Sequence, residues 1–209
     1  NHMIAGTGCG SVEGNPLRAD MEEAARMARL RFIVNCVVND EREICGVFAG
    51  DFVSAHRKAC ELARAVCRTD VPGTPDLLVL NAYPMDTDLF QAAKALGPAE
   101  RIPSARAIVL IAGCSDGFGY HALCGPGGRL HQKEKDDVRR ALDGKRLIIC
   151  SGNIAHHDVC KKFPDATRLC GTWAETVEVL RSTCTRPRPE VALLPTATIQ
   201  IPTASISGR

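Results

Sequence analysis

Beyond about residue 75, short apolar runs alternate with amphipathic segments. Helical spacing of apolar residues follows each of the first four runs. Strands that are apolar throughout, each followed by a helix, are typical of a parallel sheet covered by helices on both faces. The pattern therefore predicts an α/β fold with a Rossmann-like doubly wound parallel sheet. The predicted strands are 77-LLVLNA-82, 107-AIVLIAG-113, 146-RLIICSG-152, 167-TRLC-170 and 191-VALLPTA-197, and the predicted helices cover 88–96, 133–142, 156–163 and 174–183.

The chain before this region has the pattern of a small α+β segment, in the order helix, β-hairpin, helix. The first helix is predicted over 17–30. The hairpin joins 32-FIVNCVVN-39 to 43-EICGVFAG-50 through a charged turn, and the second helix runs from the N-cap candidate Asp51 to about Cys67. The apolar stripe of the first helix consists of Leu17, Met21, Ala24, Ala25 and Ala28.

Proline and glycine residues mark the boundary between the two patterns at Pro72-Gly73-Thr74-Pro75. The predicted division is therefore 1–72 and 73–209. The last dozen residues, which contain Pro202 and several small polar residues, predict a loose tail.

Charge and hydropathy exclude several classes of partner. The net charge of +2 over 209 residues is small, and the basic residues are scattered, which does not favour nucleic acid. No apolar run approaches the roughly 20 residues of a membrane span, and no signal-peptide pattern opens the chain. We therefore expect a cytoplasmic protein with neither a nucleic-acid nor a membrane partner.

Eleven cysteines are the one unusual feature of the composition. Their number is odd, and no two of them have a C-x-x-C spacing. Cys36 and Cys150 lie in apolar runs, whereas Cys60 and Cys67 lie on a helix pattern. This favours small buried hydrophobic residues in a reducing compartment, with a zinc site or a disulfide framework as the alternative.

Candidate chemistry lies beyond the first strand of the sheet, because open parallel sheets bind ligands outside the carboxyl ends of their strands. Gln91 and Lys94 lie about 60° apart on the polar side of helix 88–96. An amide and an ammonium near a helix start suit a carboxylate, since both donate hydrogen bonds and the helix dipole adds positive potential. The alternative is an ordinary solvated helix face.

The next two strand ends carry weaker signals. The glycine-rich segment 113-GCSDGFG-119 departs from G-x-G-x-x-G, so it indicates a tight turn with an anion nest more than a dinucleotide site. His156 and His157 would diverge by about 100° on a helix, which favours a helix-start role over metal binding. For His56, a structural role is favoured over chemistry.

Five separated segments carry a resemblance to a known family. They are 13-EGNPLRADMEEAAR-26, 32-FIVNCVVNDEREICGVFAGD-51, 55-AHRKACELA-63, 83-YPMDTDLFQAAKAL-96 and 112-AGCSDGFG-119. In this order they resemble the C-terminal half of the nickel-dependent lactate racemase family. The resemblance covers roughly residues 10–120, and the rest of the chain follows a general α/β pattern.

The resemblance implies a racemase or epimerase of 2-hydroxy acids that transfers hydride through a nickel-pincer nucleotide. In the family, an N-terminal domain supplies two acid/base histidines, the lysine that anchors the cofactor and a histidine that ligates nickel. Gln91 and Lys94 correspond to the glutamine and lysine that hold the substrate carboxylate. Further candidates for lining the cleft are Tyr83, Asp86, Phe90, Cys114 and Gly117.

The chain departs from the family pattern in two ways. Phe90 stands where the family often has tyrosine, which removes a hydroxyl contact. The catalytic histidines, the anchoring lysine and the nickel ligand belong upstream of Gly10, and neither His56 nor His121 lies in a matching motif. No metal ligand is therefore expected here, and residues 1–72 are interpreted as the truncated last segment of the catalytic domain.

Asn1-His2-Met3 resembles a cloning remnant, and the chain alone is expected to be inactive. The expected partners are a small 2-hydroxy acid, the missing N-terminal domain and, through uncovered apolar surface, a second copy of the chain. Two other interpretations stay open at this point. They are a non-catalytic Rossmann-like module that binds an anionic ligand, and a pure interaction domain.

Overall fold

The computed structural model describes residues 7–8, 10–71, 73–184 and 186–203. The chain divides into two compact units, Asn1–Thr69 and Asp70–Arg209. The interpretation of residues 1–72 as the end of a catalytic domain stays a prediction. Within the described ranges, no helix has both the length and the apolarity needed to cross a membrane.

The first unit contains the predicted helix, hairpin and helix. Its elements are α1 (Pro16–Met27), β1 (Ile33–Val38), β2 (Ile44–Gly50) and α2 (Ser54–Cys67), and a short strand that was not predicted, β3 (Arg68–Asp70), spans the division between the units. Asn15 begins α1 by accepting hydrogen bonds from the backbone N–H groups of Leu17 and Arg18, with Pro16 in the first turn. Asp51 is not the N-cap that the sequence predicted, because α2 begins at Ser54 with Val53 as its N-cap; the Asp51 carboxylate accepts from the N–H groups of Val53 and Ser54 in the turn before the helix.

The predicted apolar stripe of α1 is wrong. The only buried residue of this helix is Glu22, whereas Met21 is 61% exposed. The Glu22 carboxylate lies 2.9 Å from Arg18 Nε and 2.7 Å from an Arg57 guanidinium nitrogen. Burial raises the pKa of Glu22, but the hydrogen bonds from the two arginines outweigh it and the pKa is lowered overall. The buried position of the helix is therefore held by an ion-pair network and lies to one side of the predicted apolar stripe.

The β1–β2 hairpin is antiparallel, as predicted, and has one covered and one uncovered face. On the covered face, α2 packs against both strands. Gly46 allows this approach, because a Cβ at that position would lie 2.7 Å from the Leu62 side chain. On the other face, three cross-strand pairs are apolar and exposed, and these six residues form the uncovered hairpin face: Val34 with Ala49, Cys36 with Val47, and Val38 with Ile44.

The second unit is built on the predicted five-stranded sheet. Its elements are β4 (Leu77–Asn81), α3 (Leu89–Ala92), β5 (Ala107–Ile111), α4 (His131–Leu142), β6 (Arg146–Cys150), α5 (His156–Lys162), β7 (Arg168–Cys170), α6 (Trp173–Thr183), β8 (Val191–Leu194) and β9 (Ile201–Thr203). The strand order is β7-β6-β5-β4-β8, with every neighbouring pair parallel. The Rossmann-like fold class is confirmed.

Alternate residues of the central strands pack on opposite faces of this sheet. Leu78, Ile108 and Ile149 are completely buried on the face that packs against α4 and α5, through Val138 and Val159 among others. The opposite face contributes a second buried cluster, against which two residues of α6 pack. Each fully buried side chain of this size contributes about 1.5–3 kcal/mol to folding. Burial on both faces explains why the strands are apolar throughout.

Two predicted elements differ in the structure. The helix predicted over 88–96 is α-helical only from Leu89 to Ala92, and it continues as a 3-10 helix over Ala93–Arg101. Pro98 lies inside this stretch, and a regular α-helix cannot continue through it because the proline ring would clash with the carbonyl of Lys94. The predicted tail contains β9, and the Thr203 hydroxyl donates to Asp70 at 2.5 Å. Residues 204–209 lie outside the described residues.

The cysteines do not follow one rule. Cys114, Cys150 and Cys170 are buried, as expected for small hydrophobic residues, whereas Cys36 and Cys45 are exposed. The expectation of burial was wrong for Cys36, because its run of apolar residues supplies the uncovered hairpin face. All ten cysteines in the described part of the chain are free, and Cys9 lies outside it.

Candidate functional site at the carboxyl edge of the sheet

The loops that follow β4, β5 and β6 are joined by hydrogen bonds at the carboxyl edge of the sheet. The Asp86 carboxylate accepts from the N–H of Gly113 at 3.3 Å, and the Asp86 carbonyl accepts from the N–H of Cys114 at 2.6 Å. The Asn153 amide donates to the carbonyl of Gly113 at 2.7 Å. These contacts tie three consecutive βα loops into one surface.

The strand order places a topological switch point at β4. From β4 the chain moves outward through β5 and β6 to β7, and α6 then leads it back to β8 on the other side of β4. In open α/β sheets, ligands bind outside the carboxyl ends of the strands at such a point. The segment that follows β4, which carries Gln91 and Lys94, therefore begins at the edge where the fold favours binding.

Asp88 starts the helix that carries the predicted pair. Its carboxylate accepts from the N–H of Gln91 at 2.8 Å and caps α3. The Lys94 ammonium donates to the Gln91 side-chain oxygen at 2.6 Å, so the two side chains converge as predicted. Gln91 is half-buried and Lys94 is exposed. Because α3 has a single α-helical turn, its dipole contributes less than the predicted longer helix would.

Phe90, directly before Gln91, lies in an aromatic and cationic cluster. Its ring is 7% exposed, stacks on the His121 ring at 5.4 Å and meets the Phe118 ring edge-on at 5.5 Å. The Lys162 ammonium lies 3.9 Å from the centroid of the Phe90 ring and 2.5 Å from the Glu134 carboxylate. This cluster fixes the start of α3 from the side opposite to the solvent.

Sequence reasoning missed Lys162, whose side chain is 1% exposed. Burial lowers the pKa of this ammonium, and the Glu134 hydrogen bond opposes the shift. A signal was present in the sequence. Val159, Lys162 and Phe163 lie within one helical turn, and Val159 and Phe163 are completely buried, so Lys162 shares the inward side of α5 with apolar residues.

The other predicted lining residues have mixed environments. Tyr83 is 41% exposed, whereas Cys114 is completely buried. Burial raises the pKa of the Cys114 thiol to about 11, which keeps it protonated and unreactive at neutral pH. Gly117 has φ +65° and its carbonyl accepts from the N–H of Leu89 at 3.0 Å, so it supports the start of α3 through its backbone. Their roles toward a ligand stay predictions.

The histidines singled out in the sequence occupy separate places. In the first unit, the His56 ring lies 3.6 Å from Cys60 Sγ, and burial is the main factor that lowers its pKa. In the second unit, His156 and His157 begin α5, with His157 Nε2 3.2 Å from the Asp158 carboxylate. Within the described residues, no three His, Cys, Asp or Glu side chains gather where they could hold a metal ion.

The fold and this edge define a Rossmann-like protein with a candidate carboxylate site at its switch point. No protein-family model matches the chain. The chain is 32% identical over 142 residues to the lactate racemase of Lactiplantibacillus plantarum, covering 64% of this chain and 31% of the relative. It is 32% identical over 112 residues to the lactate racemase of Thermoanaerobacterium thermosaccharolyticum, covering 53% and 26%. The resemblance to the lactate racemase family is confirmed.

Solved structures support the same fold. The lactate racemase apoprotein from Thermoanaerobacterium thermosaccharolyticum superposes with a TM-score of 0.76 at 21% identity, covering 96% of this chain and 52% of that chain. A protein from Thermotoga maritima superposes with a TM-score of 0.57 at 14% identity, covering 92% and 55%. The chain thus spans about half the length of these structures and less than a third of its curated relatives.

Proposed function

We propose that this chain provides the substrate-carboxylate contacts of a lactate racemase-like enzyme that interconverts 2-hydroxy acids. The contact that carries the proposal is the 2.6 Å hydrogen bond between Lys94 and Gln91, at the binding edge that follows β4. The similarity to two lactate racemases supports the reaction class. The identity of the 2-hydroxy acid is left open.

Lys94 and Gln91 are suited to hold one carboxylate together. An ammonium has three N–H donors, of which Gln91 occupies one, so two remain for a ligand. Because the Gln91 oxygen faces Lys94, its amide nitrogen is left to donate to the second carboxylate oxygen. Lys94 supplies the charge, and hydrogen bonds to charged groups are the stronger ones. The buried Phe90 ring below the pair limits the motion of α3, so the two donors stay positioned.

Hydride transfer and proton transfer are proposed to depend on residues outside this chain. The nickel-pincer nucleotide implied by the resemblance needs an anchoring lysine and a nickel ligand, and no family motif in this chain supplies them. The described residues also offer no group of three metal-ligating side chains. We therefore assign no step of the reaction to this cofactor here.

Substrate binding tests the role of Lys94. In the full-length enzyme that contains this chain, Lys94→Ala is expected to weaken the binding of lactate or the preferred 2-hydroxy acid. Losing a charged hydrogen bond costs about 1.5–3 kcal/mol, or a roughly 10- to 150-fold rise in Kd. Gln91→Ala should weaken binding less, since it removes a neutral donor. Isothermal titration calorimetry measures both.

Lys58→Ala is the matched control, because Lys58 is an exposed lysine on α2 in the first unit and lies outside the segments that follow β4, β5 and β6. Its Kd is expected to equal that of the parent protein. An unchanged Kd for Lys94→Ala, with the parent protein binding normally, removes Lys94 from the site and leaves the family relationship intact.

A further inference from the structure

A cleft of about 960 Å³ lies at the amino edge of the sheet. The segment with Gln91 and Lys94 begins at the opposite, carboxyl edge. Asp76 lies just before β4, Arg106 just before β5, and Arg146 is the first residue of β6. A parallel strand of this length is about 17 Å long, so the two edges are well separated. All of the lining residues belong to the second unit. The volume falls in the range of small-molecule sites, about 300–1,000 Å³.

Cationic side chains predominate in this cleft. Four basic residues line it, together with two acidic ones, although the whole chain has a net charge of only +2. The basic residues are Arg106, Lys145, Arg146 and Arg186, and the acidic residues are Asp76 and Asp143. The cleft is therefore a local concentration of positive charge, which raises the local concentration of anions.

The two acidic residues can compensate only half of this charge. The Asp76 carboxylate is already occupied, because it accepts from Arg186 at 2.7 Å and from the N–H of Glu190 at 2.9 Å. The Arg186 hydrogen bond is the main factor that lowers the pKa of Asp76, so this carboxylate stays charged and paired. In the part of the chain that the structure describes, Arg106 and Arg146 form no ion pair.

Lys145 has only a distant ion-pair partner. Its side chain is only 6% exposed, and its ammonium lies 3.8 Å from the carboxylate of Asp143, which is itself 83% exposed. That distance is too long for a hydrogen bond. The nearby end of α4 favours a cation by about 0.3–1 kcal/mol, but this does not satisfy three N–H donors. A lysine whose side chain is mostly buried and whose ammonium has only this distant ion pair is suited to an anion that enters the cleft.

We propose that the amino-edge cleft binds a phosphate-bearing small molecule, with Lys145, Arg106 and Arg146 as its ligands. Arg106 directly precedes β5 and Arg146 begins β6, and the N–H of Arg146 donates to the carbonyl of Arg106 at 3.0 Å. Two planar guanidinium groups on adjacent strands present bidentate donors to a tetrahedral, multiply charged group, and a lysine adds a point charge. This site is independent of the proposed racemase function.

Titration calorimetry of the 209-residue chain with inorganic pyrophosphate, inorganic phosphate and succinate tests the assignment. Pyrophosphate is expected to bind most tightly, because it can engage both arginines, and its affinity should fall as the salt concentration rises. Lys145→Met and the double variant Arg106→Gln/Arg146→Gln are each expected to weaken pyrophosphate binding at least tenfold. Amide NMR shifts on titration should concentrate at 104–107 and 144–146.

Arg139→Gln is the matched control, because Arg139 is an exposed arginine on α4 that pairs with Asp136 at 3.1 Å. It should bind pyrophosphate like the parent chain, as should Lys94→Ala. Absence of saturable pyrophosphate binding at millimolar concentration would overturn the proposal, as would undiminished binding by the arginine double variant. Equal affinity of the Lys94→Ala chain for succinate, with the proposed carboxylate contact removed, would overturn the phosphate class. If Lys145→Met fails to fold by circular dichroism, the arginine variant and the NMR shifts decide.

Discussion

At the scale of single residues, the least expected feature is a lysine in the core. Lys162 is covered by apolar neighbours, by the Phe90 ring and by Glu134, whose own side chain is 31% exposed. Burying a charge is costly unless it is paired, whereas a partly exposed carboxylate can still be hydrated. Removing Glu134 therefore leaves a buried charge without a partner, whereas removing Lys162 leaves a carboxylate that water can reach.

Glu134→Gln is expected to destabilise the chain by about 3 kcal/mol or more at pH 7, because it leaves a buried ammonium without its counter-ion. Lys162→Met should cost less, since Glu134 can turn to water. Urea unfolding followed by circular dichroism measures both.

The cost of Glu134→Gln should also depend on pH. Burial lowers the pKa of folded Lys162 below its ordinary 10.5, so between the lowered pKa and 10.5 the unfolded state binds more protons than the folded state. The deficit of Glu134→Gln should therefore shrink as the pH rises toward 10.5. Equal costs for the two variants would contradict the asymmetry.

At the scale of secondary structure elements, the β1–β2 hairpin combines a packed face with the uncovered hairpin face. Val34, Val47 and Ile44 are 64%, 60% and 65% exposed, and the six residues of this face include no charged side chain. Contiguous apolar surface of this kind favours association. The chain spans only part of the length of its relatives. In a longer protein, another part of the same polypeptide could therefore cover this face.

The isolated chain is expected to self-associate through this face. Static light scattering should give an average mass that rises with concentration above the 22.5 kDa of one chain. Val34→Lys/Val47→Lys should lower this average mass, because the lysines on two associating chains would repel each other. Met27→Lys is the control, because Met27 is 79% exposed on α1 outside the uncovered hairpin face. A mass of one chain at every concentration would refute the expectation.

At the scale of the whole molecule, the chain has a five-stranded parallel sheet and a candidate carboxylate site. The acid/base histidines and the cofactor-binding residues implied by the family resemblance are proposed to lie outside the chain. The purified chain is therefore expected not to interconvert D- and L-lactate. A chiral enzymatic assay for each lactate isomer measures this. If the chain is part of a longer racemase, as proposed above, addition of the rest of that enzyme should restore activity when the two parts bind each other. Interconversion by the chain alone would show that the acid/base groups lie within it.

Much of the fold could be predicted from local pattern, because the strands of a covered parallel sheet are apolar throughout. All five strands of the main sheet and the hairpin were found where the pattern placed them. The pattern failed where a single residue overrides periodicity. Pro98 does not allow a regular α-helix to continue through 93–101, and in α1 the buried residue is Glu22 and not a member of the expected apolar stripe.

By itself, the sequence determined the alternation of strands and helices, the three-residue spacing of Gln91 and Lys94 and the motifs of the lactate racemase family. These depend on local periodicity and on residues close together in the chain. Only the tertiary structure decided that Lys162 lies against Phe90, and that Arg106 and Lys145 line one cleft with Arg146. Those contacts depend on strand order, because a parallel sheet brings together residues that the intervening helices and loops keep far apart along the chain.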